Sequence, residues 1–161
     1  MKNRFAPLLI LLAGCAKIAT SNGPSKADTD RQFDRIAKEY LTGYLAWRPQ
    51  TGTSLGFHQY DGKLTDFGRR SLDRELNRLK QFDEKLAALK SSLLSPWAFY
   101  DFRILQAAIK SDRFKFEAMQ SYTKNPMTYA DVIDVNIYIK RDFAPLEARV
   151  QSIIEIGRAH V

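Results

Sequence analysis

The chain has 161 residues, is 45% hydrophobic, and holds two Trp, seven Tyr and ten Phe. That composition rules out a disordered segment and suffices for one domain with a real core. The formal charge of +7 falls to +5 once Lys2 and Arg4 leave with an export signal, and no Lys/Arg block stands out, so a nucleic-acid partner is not expected.

Residues 1–14 read as a lipoprotein signal peptide. Lys2 and Arg4 supply a positive start, and the apolar run over 5–12 is too short for a spanning helix. Leu12-Ala13-Gly14-Cys15 is similar to the bacterial lipobox, which makes Cys15 the predicted lipidation site and a membrane the expected partner. Two or more acyl chains are needed to hold a protein firmly to a bilayer. Ala16 follows, where an Asp would resemble an inner-membrane retention signal. The expected location is the cell envelope, at the outer membrane and facing the periplasm. Residues 15–29, with Thr20-Ser21-Asn22-Gly23-Pro24-Ser25, read as a flexible tether.

The expected fold class is all-α, with long antiparallel helices over residues 30–154 and a structured loop at 48–68. The first helix is predicted over 30–47, capped by Asp28 or Thr29. Phe33, Ile36, Ala37, Tyr40, Leu41, Tyr44 and Leu45 form its apolar face. Pro49 ends it. A second helix is expected over 69–94, with a stripe of Leu72, Leu76, Leu79, Phe82, Leu86, Leu89 and Leu93. Arg70, Asp73, Arg74, Arg78, Lys80, Glu84 and Lys85 fall on the solvated side. Ser95-Pro96 predicts an N-cap and first turn for a third helix reaching residue 121. This helix has two apolar faces: Phe102, Leu105, Ile109, Phe116 and Met119 on one, and Trp97, Tyr100, Ile104 and Ala107 on the other. Two such faces predict burial between layers. Residues 130–138 read as helix with Thr128 as cap, and a last helix starts near Pro145.

The loop at 53–68 holds three of the eight glycines and the one internal histidine. His58, Tyr60, Asp61 and Asp66 are its candidate chemical residues. A His beside carboxylates can ligate metal or work as an acid–base pair. The structural alternative is a turn at Asp61-Gly62, with Gly56 allowing close backbone packing and Phe57 and Tyr60 as anchors. His160 is the other histidine and has no recognisable partner. No catalytic residue and no metal or cofactor ligand is assigned in this chain.

Residues 156–161 match the translation of a common sequencing-library adapter. Residues 155–161 are therefore expected to be a non-native tail, with Gly157 interrupting the last helix.

The motifs Trp47-Arg48-Pro49, the run 51–56, His58-Gln59-Tyr60-Asp61, Leu64-Thr65-Asp66, Lys124-Asn125-Pro126 with Tyr129, and Phe143-Ala144-Pro145 with Arg149 form one ordered set. In order and spacing they resemble the N-terminal part of the bacterial family called domain of unknown function 885, over about residues 30–155. Gly68 departs from that pattern, which would place a serine there to cap the next helix. The resemblance implies the N-terminal portion of a larger helical metallopeptidase-like fold. It implies zinc as cofactor and a peptide as substrate for the full-length protein, with the zinc ligands far downstream. The expected function is thus an N-terminal fragment of an envelope lipoprotein whose full-length form is a zinc-dependent peptidase. The alternative is an intact small helical envelope lipoprotein with a binding or structural role.

Overall fold

A computed structural model describes residue 23 and residues 25–158. Cys15, most of the expected tether and His160 lie outside the described residues. Every element among the described residues is helical, as the apolar spacing predicted. Three long helices carry the structure: α1 (Lys26–Trp47), α3 (Arg69–Ala87) and α4 (Pro96–Glu117). Short helices fill the rest: α2 (Pro49–Ser54), α5 (Ser121–Lys124), α6 (Met127–Ala130) and α7 (Asn136–Lys140), before a final α8 (Leu146–Arg158).

Helix α1 begins at Lys26 rather than near residue 30, because Ser25 is its cap. The Ser25 hydroxyl accepts from the Asp28 amide at 3.1 Å, and the Asp28 carboxylate accepts from the Ser25 amide at 3.3 Å. This is a capping box, with Asp28 as its third-position acid. At the other end Pro49 stops α1 and at once starts α2, so residues 49–54, expected as loop, are helical.

The ion pairs fix the directions of the long helices. Lys85 meets Glu39, and the Trp47 indole donates to Ser71, so α3 runs antiparallel to α1. Lys80 meets Glu117 and Arg113 meets Asp83, so α4 runs back antiparallel to α3 and parallel to α1. Between them lies the core. Phe33, Ile36 and Tyr40 come from α1, Leu79, Phe82 and Leu86 from α3, and Phe102, Leu105 and Ile109 from α4. Helix α3 ends at Ala87, earlier than the Leu stripe predicted. The chain then tightens into a 3-10 turn at Ser91–Leu93, which brings Leu89 and Leu94 into the same core.

Helix α4 corrects the sequence reading most. Phe102, Leu105 and Ile109 are buried as expected, but the second face is not covered. Trp97 is 84% exposed and Ile104 68%, with Tyr100 also in solvent, and Met119, expected on the buried face, is exposed too. Ser95 stands at the cap position, yet its side chain makes no capping bond. Its amide instead donates to Asp30, tying the start of α4 to the start of α1. Past α4, Gln120 takes a left-handed conformation at φ 52°. A non-glycine there costs about 1–2 kcal/mol and gives no sequence signal. The kink folds α5 back, so that Tyr122 packs on Phe116 at 4.4 Å.

The segment over 130–138 is broken rather than continuous. A 3-10 turn at Asp131–Ile133 and a gap precede α7. Asn125, not Thr128, caps the entry, accepting from the Met127 amide at 3.1 Å. Helix α8 runs through Gly157 to Arg158 and buries Ile156, so the expected interruption is not there.

Leu79 is fully buried where the three helices meet. Leu79→Ala should lower unfolding stability by about 3 kcal/mol, and Gln120→Gly should raise it by about 1 kcal/mol. Urea denaturation followed by circular dichroism measures both.

Candidate functional site

Two places gather polar chemistry: the corner that holds His58, and a charge cluster sealed between the long helices.

In the corner, residues His58–Tyr60 form a 3-10 turn. His58 Nδ1 and Asp61 Oδ2 lie 3.1 Å apart. The His58 ring stacks on Phe143 at 4.2 Å and is close to half exposed. The other Asp61 oxygen is buried and unpartnered among the described residues. Tyr60 and Asp66 do not join this pair. The Tyr60 ring packs against Gly52, where any Cβ would strike it. Asp66 accepts from the Gly68 amide at 2.7 Å, closing the turn that leads into α3. The glycines divide their work differently from the expectation. Gly52, not Gly56, is the close approach. Gly56 serves a positive φ of 88° in open space. Phe57 is 45% exposed and is not an anchor. Gly62, at φ 71°, donates its amide to the Tyr138 hydroxyl at 3.0 Å.

The sealed cluster centres on Arg48, the residue between α1 and α2. Its guanidinium turns inward, 14% exposed, and donates to Glu75 at 3.2 Å and Asp112 at 2.9 Å. It lies over the Tyr44 and Trp47 rings at 4.3 and 4.7 Å. Glu75, 2% exposed at its side chain, also takes two bonds from Arg78, at 2.6 and 2.8 Å. Arg78 in turn reaches the Tyr40 carbonyl at 3.2 Å. Lys115 donates to the second Asp112 oxygen at 3.0 Å. Burial works against the Arg48 charge, but Asp112, Tyr122, Tyr44 and Glu75 outweigh it and raise its pKa. Arg48 therefore stays charged.

The sequence reading missed this cluster. It placed Arg78 and the helix acids on solvated faces, whereas Glu75 and Asp112 are buried. One signal was available: Glu75 lies one residue before Leu76 of the apolar stripe and three after Leu72, so it borders the buried face. An acid there needs a cation.

The motif residues quoted above meet at this end of the bundle. Trp47 packs against Phe67, Phe116 and Tyr122, and Phe67 against Tyr129. Gln50 donates to the Val132 carbonyl and Thr65 to Gln50. Arg149 donates to the Ala144 and Tyr138 carbonyls, each at 2.9 Å. No protein-family model, curated protein or solved structure matches the chain.

Chemically, the cluster is closed. Both Glu75 oxygens and both Asp112 oxygens already accept charged donors, so neither is free to serve as a base. Zinc is what the family resemblance implies for a full-length form. His58 has Asp61 beside it, and nowhere among the described residues do three His, Cys, Asp or Glu side chains gather to hold a metal.

Burial pushes the Tyr40 phenol up to about 12, and the Asp112 charge adds to the push. An unfolded tyrosine titrates near about 10. Over that interval the native state keeps a proton that the unfolded chain has lost. Stability is thus full below about pH 10 and falls as pH rises toward 12. Tyr40→Phe should flatten this alkaline loss in urea titrations between neutral and high pH. It should cost no more than about 1 kcal/mol at pH 7, since the Tyr40 hydroxyl has no hydrogen-bond partner among the described residues. Glu75→Ala leaves Arg78 without its carboxylate and Arg48 with Asp112 alone, and should cost about 3 kcal/mol. Asp34→Ala, which removes an exposed pair with Lys38, should stay within about 0.5 kcal/mol in the same assay.

Proposed function

We propose that this chain is the non-catalytic N-terminal portion of a lipid-anchored cell-envelope protein whose longer form is a zinc-dependent peptidase. Its own part is scaffold. The long helices and the corner at 48–68 make one wall of a substrate groove, and the metal and its ligands belong to later sequence. A peptide is the substrate class of the longer form. Cys15 carries the acyl chains that hold the protein at the outer membrane, facing the periplasm. No helix among the described residues is long and apolar enough to cross a membrane.

The observation that carries this reading is the apolar face of α4, from Trp97 through Ile104 to Phe114, which stands in solvent beside a groove against α1. Large apolar side chains exposed along one helix mark a surface that works by being covered. The resemblance over residues 30–155 supports the same reading. A second reading is a small helical envelope lipoprotein that binds a partner without chemistry. It is favoured by the Arg48 cluster, whose charges are satisfied within this chain alone.

Reading the source DNA beyond the codon for Val161 separates the two. The first expects an open frame continuing to a His-Glu zinc motif. A stop codon with native flanking sequence removes it and leaves the second. Anchoring is tested apart from this: Cys15→Ser should abolish incorporation of labelled fatty acid and release the protein from the membrane fraction. Retained labelling would overturn the anchor.

A further inference from the structure

Helices α7 and α8 stand apart from the bundle. Among the described residues, no buried side chain of the bundle core lies beyond α4. Tyr138 and Ile156 are the buried apolar side chains of α7 and α8, and neither belongs to that core. The bonds and ring contacts that tie residues 136–158 to the rest all end on residues 54–62. The Gly62 amide donates to the Tyr138 hydroxyl at 3.0 Å, Arg141 donates to the Ser54 carbonyl at 3.2 Å, and Phe143 stacks on the His58 ring at 4.2 Å. Glu155 lies against Gly62, where a Cβ would strike its carboxylate. None of these contacts reaches α1, α3 or α4.

The two helices are bound more firmly to each other than to the corner. Arg149 donates to the Tyr138, Arg141 and Ala144 carbonyls and to the Asp142 carboxylate. One guanidinium thereby fastens the end of α7 to the start of α8.

We propose that α7 and α8 form a strap that opens and closes on the corner as one unit while the three-helix bundle stays folded. The hinge is Asp134-Val135. On one side of it, Gln50 holds the Val132 carbonyl at 3.3 Å. On the other, Asp134 accepts from the Asn136 amide at 2.8 Å and starts α7. Residues 134 and 135 belong to no helix, so they can absorb the turn. Three features keep the closed form shallow. The strap buries little apolar surface, which places it at the low-stability end of the structure. Helix α8 has 13 residues, about the length at which a helix alone in water is marginal, so it depends on docking. Between the contact residues His58 and Gly62, Asp61 keeps one oxygen buried without a partner among the described residues. Water entering on opening relieves that cost. Closed, the strap covers the corner at 54–62. Open, it bares that corner and leaves the bundle around Arg48 intact.

The inference rests on contacts within this chain and not on the peptidase reading, and either can fail without the other.

Native-state hydrogen exchange tests it, on the full chain carrying Cys15→Ser in mild non-ionic detergent, read amide by amide at low urea concentrations. The hydrogen-bonded amides of α7 and α8 should share one opening reaction, with one urea dependence, and exchange at least about tenfold faster than the core amides of α1, α3 and α4. Tyr138→Phe removes the acceptor for Gly62, and His58→Ala removes the ring stacked on Phe143. Each should speed exchange across α7 and α8 together by about fivefold and leave the three long helices unchanged. Unchanged long helices also show that the variants fold. Exchange of α7 and α8 only at the rate of the bundle core overturns the proposal. So does independent opening of the two helices, or no faster exchange in either variant. Variants that speed the long helices as much as the strap overturn it as well.

Discussion

One guanidinium holds the bundle in register. Arg48 sits where α1 gives way to α2, and its partners come from α3 and α4. An arginine suits this position because its planar fork can serve two carboxylates at once while its faces stack on Tyr44 and Trp47. The charge would be costly in an apolar core if left alone. With Glu75 and Asp112 in place it has a single best arrangement, and that arrangement sets how far each helix slides along its neighbours. The aromatic layer around Trp47 and Tyr122 then closes over it, and the corner at 49–68 is hung from the same point.

The distribution of polar chemistry bears on function. Glu75 and Asp112 are engaged by cations, and the partly exposed His58–Asp61 pair has no third member among the described residues. What remains free is apolar surface on α4 and the groove beside it. The proposed scaffold role draws on that face.

Much of the fold was legible in the sequence because helical periodicity reports burial directly. Phe33, Ile36 and Tyr40 of α1 and Leu72, Leu79, Phe82 and Leu86 of α3 are buried as read, whereas Leu41, read onto the same face of α1, is 52% exposed. The stops were read less well. Gln120 bends the chain without glycine, and α3 ends at Ala87 with neither glycine nor proline. The polar cluster was harder for a different reason. Arg48, Glu75 and Asp112 are far apart in the chain, and each alone resembles an ordinary charged residue of a helix surface. Their meeting is a property of the packing. The second face of α4 was legible as apolar, but periodicity says nothing about whether a cover is present in the same chain.

The position of Arg48 also shapes how the protein folds. Glu75 reaches it from α3, but its second carboxylate, Asp112, arrives 64 residues later in the chain. A pair of helices formed from α1 and α3 alone would hold Glu75 between two cations, with the Asp112 contact missing and the aromatic lid absent. Such a half-built bundle gains little, so the native state forms as a unit. On the proposed route of export, where a chain crosses a membrane before it folds, this is an advantage: the chain stays loose until its third long helix has emerged.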